Sequence, residues 1–376
     1  MSEKLAAALR EEWMLAVSAV TSLVLLLAGE EVAAAATGLP GLVLLFLWLF
    51  AMVIGAGLSV VRHADHIAIR LGEPYGTLIL TLAVTAIELI AISAMTLHGA
   101  EDAASAGNPL VRDTIFAVVM IILNGMVGVS LLLGGWRHLE QTYNLQGANT
   151  YLGVIIPLTV LSLILPNYTE TTPGPTLSAP QEVFLALMSV GLYAAFLAVQ
   201  TSRHRSYFTL GDPDDEAGHE APHGTARPLA VHILLLAAYM VPVVFLAEQL
   251  AEPVDTLLDA LHAPAALGGV VVALLVATPE AVGAVRAAIA DRLQRSMNIF
   301  LGSVLSTIGL TIPAMLVLGQ LTGQKFVMGL QNANAVMLLL TLTVSLVTFS
   351  TARTNVLQGA VHLVLFGAYI LLIFQG

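Results

Sequence analysis

The sequence predicts an all-α polytopic membrane protein of eleven transmembrane helices, and three observations carry that prediction. Of 376 residues, 57% are hydrophobic and only 10% are charged, and the mean hydropathy is +0.88. A soluble chain of this length needs far more charge to cover its surface, so lipid must cover this one. The apolar residues gather in stretches of about 20, the length an α-helix needs to cross a bilayer core. Lys and Arg fall almost entirely in alternate connections between those stretches.

The spans are read over residues 12–29, 40–61, 75–98, 114–135, 150–166, 181–202, 229–249, 264–287, 296–319, 329–350 and 357–375. The first follows MSEKLAAALREEW, a leader that mixes Lys4 and Arg10 with Glu3, Glu11 and Glu12. The alanine run Ala33–Ala36 resembles a peptidase site, but the acidic leader and long apolar core predict a retained helix. The sixth span ends at Arg203-His204-Arg205, and the polar, mostly acidic GDPDDEAGHEAPHGTARP follows. The organisation expected is an extra N-terminal helix and loop (1–39), a first five-helix repeat (40–202), an acidic linker (203–228) and a second repeat (229–376).

Topology follows from the basic residues. With the N-terminus inside, the cytoplasmic segments hold Lys4, Arg10, Arg62, Arg70, Arg137, Arg203, Arg205, Arg227, Arg286, Arg292, Arg295 and Arg353. Only two of the 14 Lys and Arg residues, Arg112 and Lys325, then lie outside. One missed or invented span would scramble this positive-inside asymmetry, so it supports eleven. The linker is then cytoplasmic and the C-terminus external. The net charge of −11 has no say in orientation. Cysteine is absent, which removes disulfides and thiolate metal sites.

Two segments resemble each other across the linker. LILTLAVTAIELIAISAM and RDTIFAVVMIILNGMVGVSLLLGG make the third and fourth spans. VVALLVATPEAVGAVRAA and RSMNIFLGSVLSTIGLTIPAML make the eighth and ninth. Glu88 aligns with Glu280, Arg112 with Arg295, Met120 with Ser303 and Asn124 with Thr307. Five spans separate the third from the eighth, so the two enter from opposite sides and the repeats are inverted. Secondary transporters built this way bind their substrates near the midplane, between the repeats.

The chemistry centres on Glu88 and Glu280. An ionised glutamate at the bilayer centre costs several kcal/mol unless it is paired, coordinated or protonated. Neither motif helix carries a Lys or Arg near its glutamate, so the expected partner is a proton or a bound cation. Two carboxylates in one site repel, which lets protons compete with the cation, and together they suit a hard divalent ion such as Ca²⁺. Thr85 lies one turn before Glu88, and Thr278 lies just before Glu280. Pro279 has no N–H and would free a carbonyl one turn earlier. Asn124, Ser303, Ser306 and Thr307 add polar groups at matching depth on the fourth and ninth spans. Thr and Ser in membrane helices also bond their own backbone or join helices.

At these residues the chain resembles the calcium/cation antiporter superfamily, and within it the bacterial ChaA-like calcium/proton antiporters. GEPYGTLILTLAVTAIE (72–88) and ILNGMVGVSLLLGGWRHLE (122–140) resemble the first conserved repeat. ATPEAVGAVRAAIADRLQRSMNIFLGSVLSTIGLTIPAML (277–316) resembles the second. The resemblance implies that Glu88 and Glu280 bind Ca²⁺ and protons in turn, with the polar positions of the fourth and ninth spans completing the site. It implies that the second and seventh spans slide to switch access. It also implies that the linker acids Asp212, Asp214, Asp215 and Glu216 correspond to a calcium-sensing region. The chain departs from its relatives where Met120 stands opposite Ser303 and where Thr85 and Ala277 replace Asn or Ser, so its site is poorer in side-chain oxygens.

His63, His66 and His98, at span ends, are candidate proton relays; His219 and His223 in the linker are too loosely spaced for a metal site. No HExxH, GxSxG or P-loop pattern occurs, so an ion gradient is the expected energy source and no enzyme chemistry is expected. The expected partners are the cation (Ca²⁺, with Na⁺ or K⁺ as the alternative), protons and the bilayer, with no cofactor and no nucleic acid. A channel is disfavoured because a titrating trap does not suit steady conduction. The sequence leaves open whether the chain forms a homo-oligomer.

Overall fold

The computed structural model describes residues 11–36, 38–71, 75–98, 108–210 and 227–375. Eleven helices succeed one another among them. These are α1 (Trp13–Ala35), α2 (Gly38–Leu71), α3 (Tyr75–His98), α4 (Leu110–His138), α5 (Leu145–Leu163) and α6 (Ala179–Arg203). After the linker come α7 (Leu229–Ala260), α8 (Ala266–Ile289), α9 (Leu293–Thr322), α10 (Asn332–Thr348) and α11 (Val356–Gln375). Eight are long and apolar enough on their own to cross a membrane. In α3 and α10 the apolar stretches, Thr81–Ala94 and Asn332–Thr348, are shorter, and α5 opens on the polar Gln146 and Asn149.

Some helices outrun the expected spans. α2 continues to Leu71 instead of stopping near residue 61, so His63 and His66 stand inside a helix and not beyond its end. α7 runs to Ala260 through Pro242 and Pro253. Hydropathy reports where lipid ends, whereas helical hydrogen bonding can continue beyond it into the interface.

The helices gather into two compact units that each draw on both halves of the sequence, residues 1–98 with 224–268 and residues 99–223 with 269–376. In the first unit α2 and α7 lie along each other, and α1 and α3 pack on both. In the second, α11 packs along α4, α5 lies against α9, and α6 lies against the C-terminal part of α9. The α4–α11 approach is close because Gly359 has no Cβ. A Cβ there would stand 2.5 Å from the Leu132 nitrogen and 2.9 Å from the Gly128 oxygen, both backbone atoms.

A short antiparallel ladder, β1 (Glu140–Thr142) with β2 (Arg353–Asn355), closes one end of this unit. Gln141 on β1 donates to the Ala288 carbonyl at 2.8 Å and to Asp291 at 3.0 Å, which fixes the end of α8 to the same corner.

Two helices of the second unit change their winding midway. Ile121–Met126 in α4 and Thr307–Thr311 in α9 are π-helical turns. The aligned pair Asn124 and Thr307 falls within them, one in each. A π-turn loosens the regular ladder and leaves backbone oxygens available, and such turns gather at functional sites. The sequence reading had looked for freed backbone at Pro279 only.

Candidate cation and proton site

In the second unit, α8 presents Glu280. The Ser303 side chain, from α9, stands beside its carboxyl. Glu280 is part-exposed at its surface, but Oε2 is enclosed and has no hydrogen-bond partner among the described residues. The carboxyl has no ion pair there either. Thr278 precedes it, with its hydroxyl donating to the Leu274 carbonyl on its own helix. Ser306 likewise donates to the Ser303 carbonyl at 2.9 Å. Ser303, Ser306 and Thr307 are all buried.

Asn124, fully buried on the π-turn of α4, has partners on two other helices. Its Nδ2 donates to Thr341 Oγ1 on α10 at 2.9 Å, and its Oδ1 faces His362 Nδ1 on α11 at 3.3 Å. His362 and Thr341 are also fully buried, and the sequence reading missed both. The signal for His362 was present, since an ionisable residue inside VLQGAVHLVLFGAYILLIF is a functional flag in its own right. Thr341, one hydroxyl among several in α10, offered no such mark.

In the first unit, α3 carries Glu88 and Thr85, one helical turn apart and both buried at 1% and 3% exposure. Thr85 Oγ1 is enclosed with no hydrogen-bond partner among the described residues. Burying a hydroxyl without a partner costs about 1–3 kcal/mol. An oxygen left bare beside a buried carboxyl is therefore a candidate to ligate whatever that carboxyl binds.

The same unit holds an ionic junction whose members are scattered along the sequence. Glu12, at the start of α1, accepts from Arg62 on α2 at 2.6 Å, from Arg227 ahead of α7 at 2.6 Å and from the Tyr239 hydroxyl on α7 at 2.9 Å. His63 Nε2 lies 3.3 Å from the same carboxylate, while His63 Nδ1 meets His232 Nδ1 at 3.1 Å. The His66 ring lies tilted against His232 with centroids 4.6 Å apart. Burial alone would raise the Glu12 carboxyl. The Tyr239 and Arg227 hydrogen bonds, with the charges of Arg62 and His63, outweigh burial and hold it below its usual value. Of the histidines considered as relays, His63 and His66 join this junction. The His98 side chain and the linker residues Asp212, Asp214, Asp215, Glu216, His219 and His223 lie outside the described residues.

Membrane-crossing helices with a buried Glu88, an enclosed Glu280 oxygen and overlapping π-turns in the two aligned helices are the features of a cation transporter. The chain belongs to the sodium/calcium exchanger protein family, whose sequence pattern matches residues 41–202 and 231–375. It is 44% identical over 332 residues to a putative ionic transporter, y4hA, of Sinorhizobium fredii, covering 88% of each chain. It is 39% identical over 350 residues to the sodium-potassium/proton antiporter ChaA of Escherichia coli, covering 89% of this chain and 93% of the relative. Its fold is similar to that of the crystallised Ca²⁺/H⁺ antiporter protein YfkE, with a TM-score of 0.72 at 17% identity over 96% of this chain and 98% of that one.

Proposed function

We propose that the protein exchanges Ca²⁺ for protons by alternating access, with Glu88 and Glu280 each binding cation and proton competitively. The observation that carries this reading is Glu280, whose Oε2 is enclosed and has no basic partner among the described residues. A carboxylate so placed needs a cation or a proton to offset its desolvation. Protons neutralise the glutamates on one side of the membrane and the cation displaces them on the other. If both carboxylates cycle, each moves one proton per Ca²⁺.

Thr85, Asn124, Thr278, Ser303, Ser306 and Thr307, with carbonyls freed at the two π-turns, supply the remaining oxygens. The chain works as a bacterial inner-membrane protein with its N-terminus in the cytoplasm and its C-terminus outside. In this reading α2 and α7, which lie along each other in the first unit, move together to switch access.

Na⁺ or K⁺ exchange for protons on the same residues is a second reading. Two observations favour it: the name of the Escherichia coli relative, and the Thr278 and Ser306 hydroxyls already bonded within their own helices. Everted membrane vesicles carrying a pH gradient separate the two. Collapse of the gradient on adding Ca²⁺ supports the first reading. Collapse with Na⁺ or K⁺ alone replaces it with the second, and ionic current without proton movement removes both.

A further inference from the structure

Inside the second unit, five side chains form one hydrogen-bonded chain whose direction is set from one end. Met120 Sδ has no proton to give, so Thr341 Oγ1, 3.5 Å away, donates to it. The Thr341 oxygen then accepts from Asn124 Nδ2 at 2.9 Å, and the same amide nitrogen lies 3.7 Å from the sulfur. This turns Asn124 Oδ1 toward His362, so His362 Nδ1, at 3.3 Å, carries the hydrogen. The other ring nitrogen, Nε2, accepts from the Thr348 hydroxyl at 3.0 Å. All five residues are buried, and no charged group takes part. Reversing the Asn124 amide forfeits both contacts to the sulfur and requires the other histidine tautomer.

We propose that His362 is a positioning residue for the transported cation: its neutral ring fixes which end of the Asn124 amide is oxygen. One lone pair of Oδ1 takes the His362 hydrogen, and the other remains to face an ion. Without a donor at position 362 only the contacts to the Met120 sulfur resist a turn of the amide, which would put an NH₂ where a cation needs an oxygen. His362 touches no ion itself and acts through Asn124. The inference rests on the reading of Asn124 as a ligand.

The test measures cation-driven proton movement in proteoliposomes for a cycle of variants, each first shown to be monodisperse in detergent. His362→Leu is expected to raise the cation concentration for half-maximal transport about fivefold, the worth of one net hydrogen bond, with a smaller change in maximal rate. His362→Gln, which can donate and accept, is expected to recover most of that loss. In an Asn124→Ala background, His362→Leu is expected to add less than twofold.

An equal fivefold loss in that background, or unchanged half-saturation in His362→Leu, would overturn the proposal. If His362→Leu does not fold, Thr348→Val takes its place, since it frees Nε2 to exchange tautomers, and the same cycle is read. Unchanged half-saturation in Asn124→Ala would remove Asn124 from the site and this inference with it. Loss of proton movement in Glu280→Gln would show, in that case, that the transport reading itself still stands.

Discussion

Ser303 on α9 stands beside the Glu280 carboxyl on α8, so the pair brings together the two helices of the second repeat motif. Ser303 thereby lies next to the carboxylate proposed to accept the cation. Ser303→Ala removes a donor to a charged group, worth about 1.5–3 kcal/mol in full. Part-exposure of Glu280 reduces that figure, so half-maximal transport is expected to need about five times more cation. Cation titration of proton movement measures it, and an unchanged curve would mean that Glu280 does not bind the ion.

Thr85 and Thr278 separate bare oxygens from occupied ones. Thr85 Oγ1 has no hydrogen-bond partner among the described residues, whereas the Thr278 hydroxyl bonds the Leu274 carbonyl. Thr85→Val is therefore expected to weaken cation dependence by several-fold while leaving the melting temperature in detergent unchanged or higher. Thr278→Val is expected to have the smaller effect on transport. The opposite ranking would count against Thr85 as a ligand.

The Glu12 junction makes stability depend on pH in a stated direction. Its carboxyl is held below the usual value, so the stabilisation is complete above about pH 4.5 and fades as pH falls through the lowered value. Glu12→Gln leaves Arg62, Arg227 and Tyr239 without their anionic acceptor, at a cost of about 2 kcal/mol. Melting in detergent at pH 7 should show the full deficit, and the deficit should shrink as the pH is taken below 4.5. A deficit that persists undiminished at low pH would assign it to packing instead of charge.

The α4–α11 contact admits no side chain at Gly359, where a Cβ would meet backbone atoms of Leu132 and Gly128. Gly359→Ala is expected to destabilise by about 1–3 kcal/mol, because backbone cannot yield as a side chain does. Gly367, eight residues on in the same helix, has nothing within 4 Å of its would-be Cβ, so Gly367→Ala should be neutral. Thermal melting of the two variants side by side checks the pair.

Much of this was legible because membrane helices announce themselves. Hydropathy located all eleven, and the alignment of Glu88 with Glu280 and Asn124 with Thr307 exposed the repeat. The π-turns were not legible, since a slip of the hydrogen-bond ladder within Ile121–Met126 leaves the apolar pattern intact and needs no Pro or Gly. The Glu12 junction was hidden for a different reason. Its partners Arg62, Arg227 and Tyr239 lie far along the chain; the two arginines read alone as ordinary boundary residues and Tyr239 as one aromatic within the seventh span. His362 carries its own signal, an ionisable residue within the last span, but it lies outside the aligned repeat motifs.

The central claim is that buried glutamates couple cation to proton. Its most direct test is Glu280→Gln, purified and reconstituted beside wild type in vesicles containing a pH-sensitive dye, with an imposed cation gradient. The account expects cation-driven proton movement in wild type and none in the variant, with both proteins equally monodisperse. Proton movement at the wild-type rate in Glu280→Gln would contradict it.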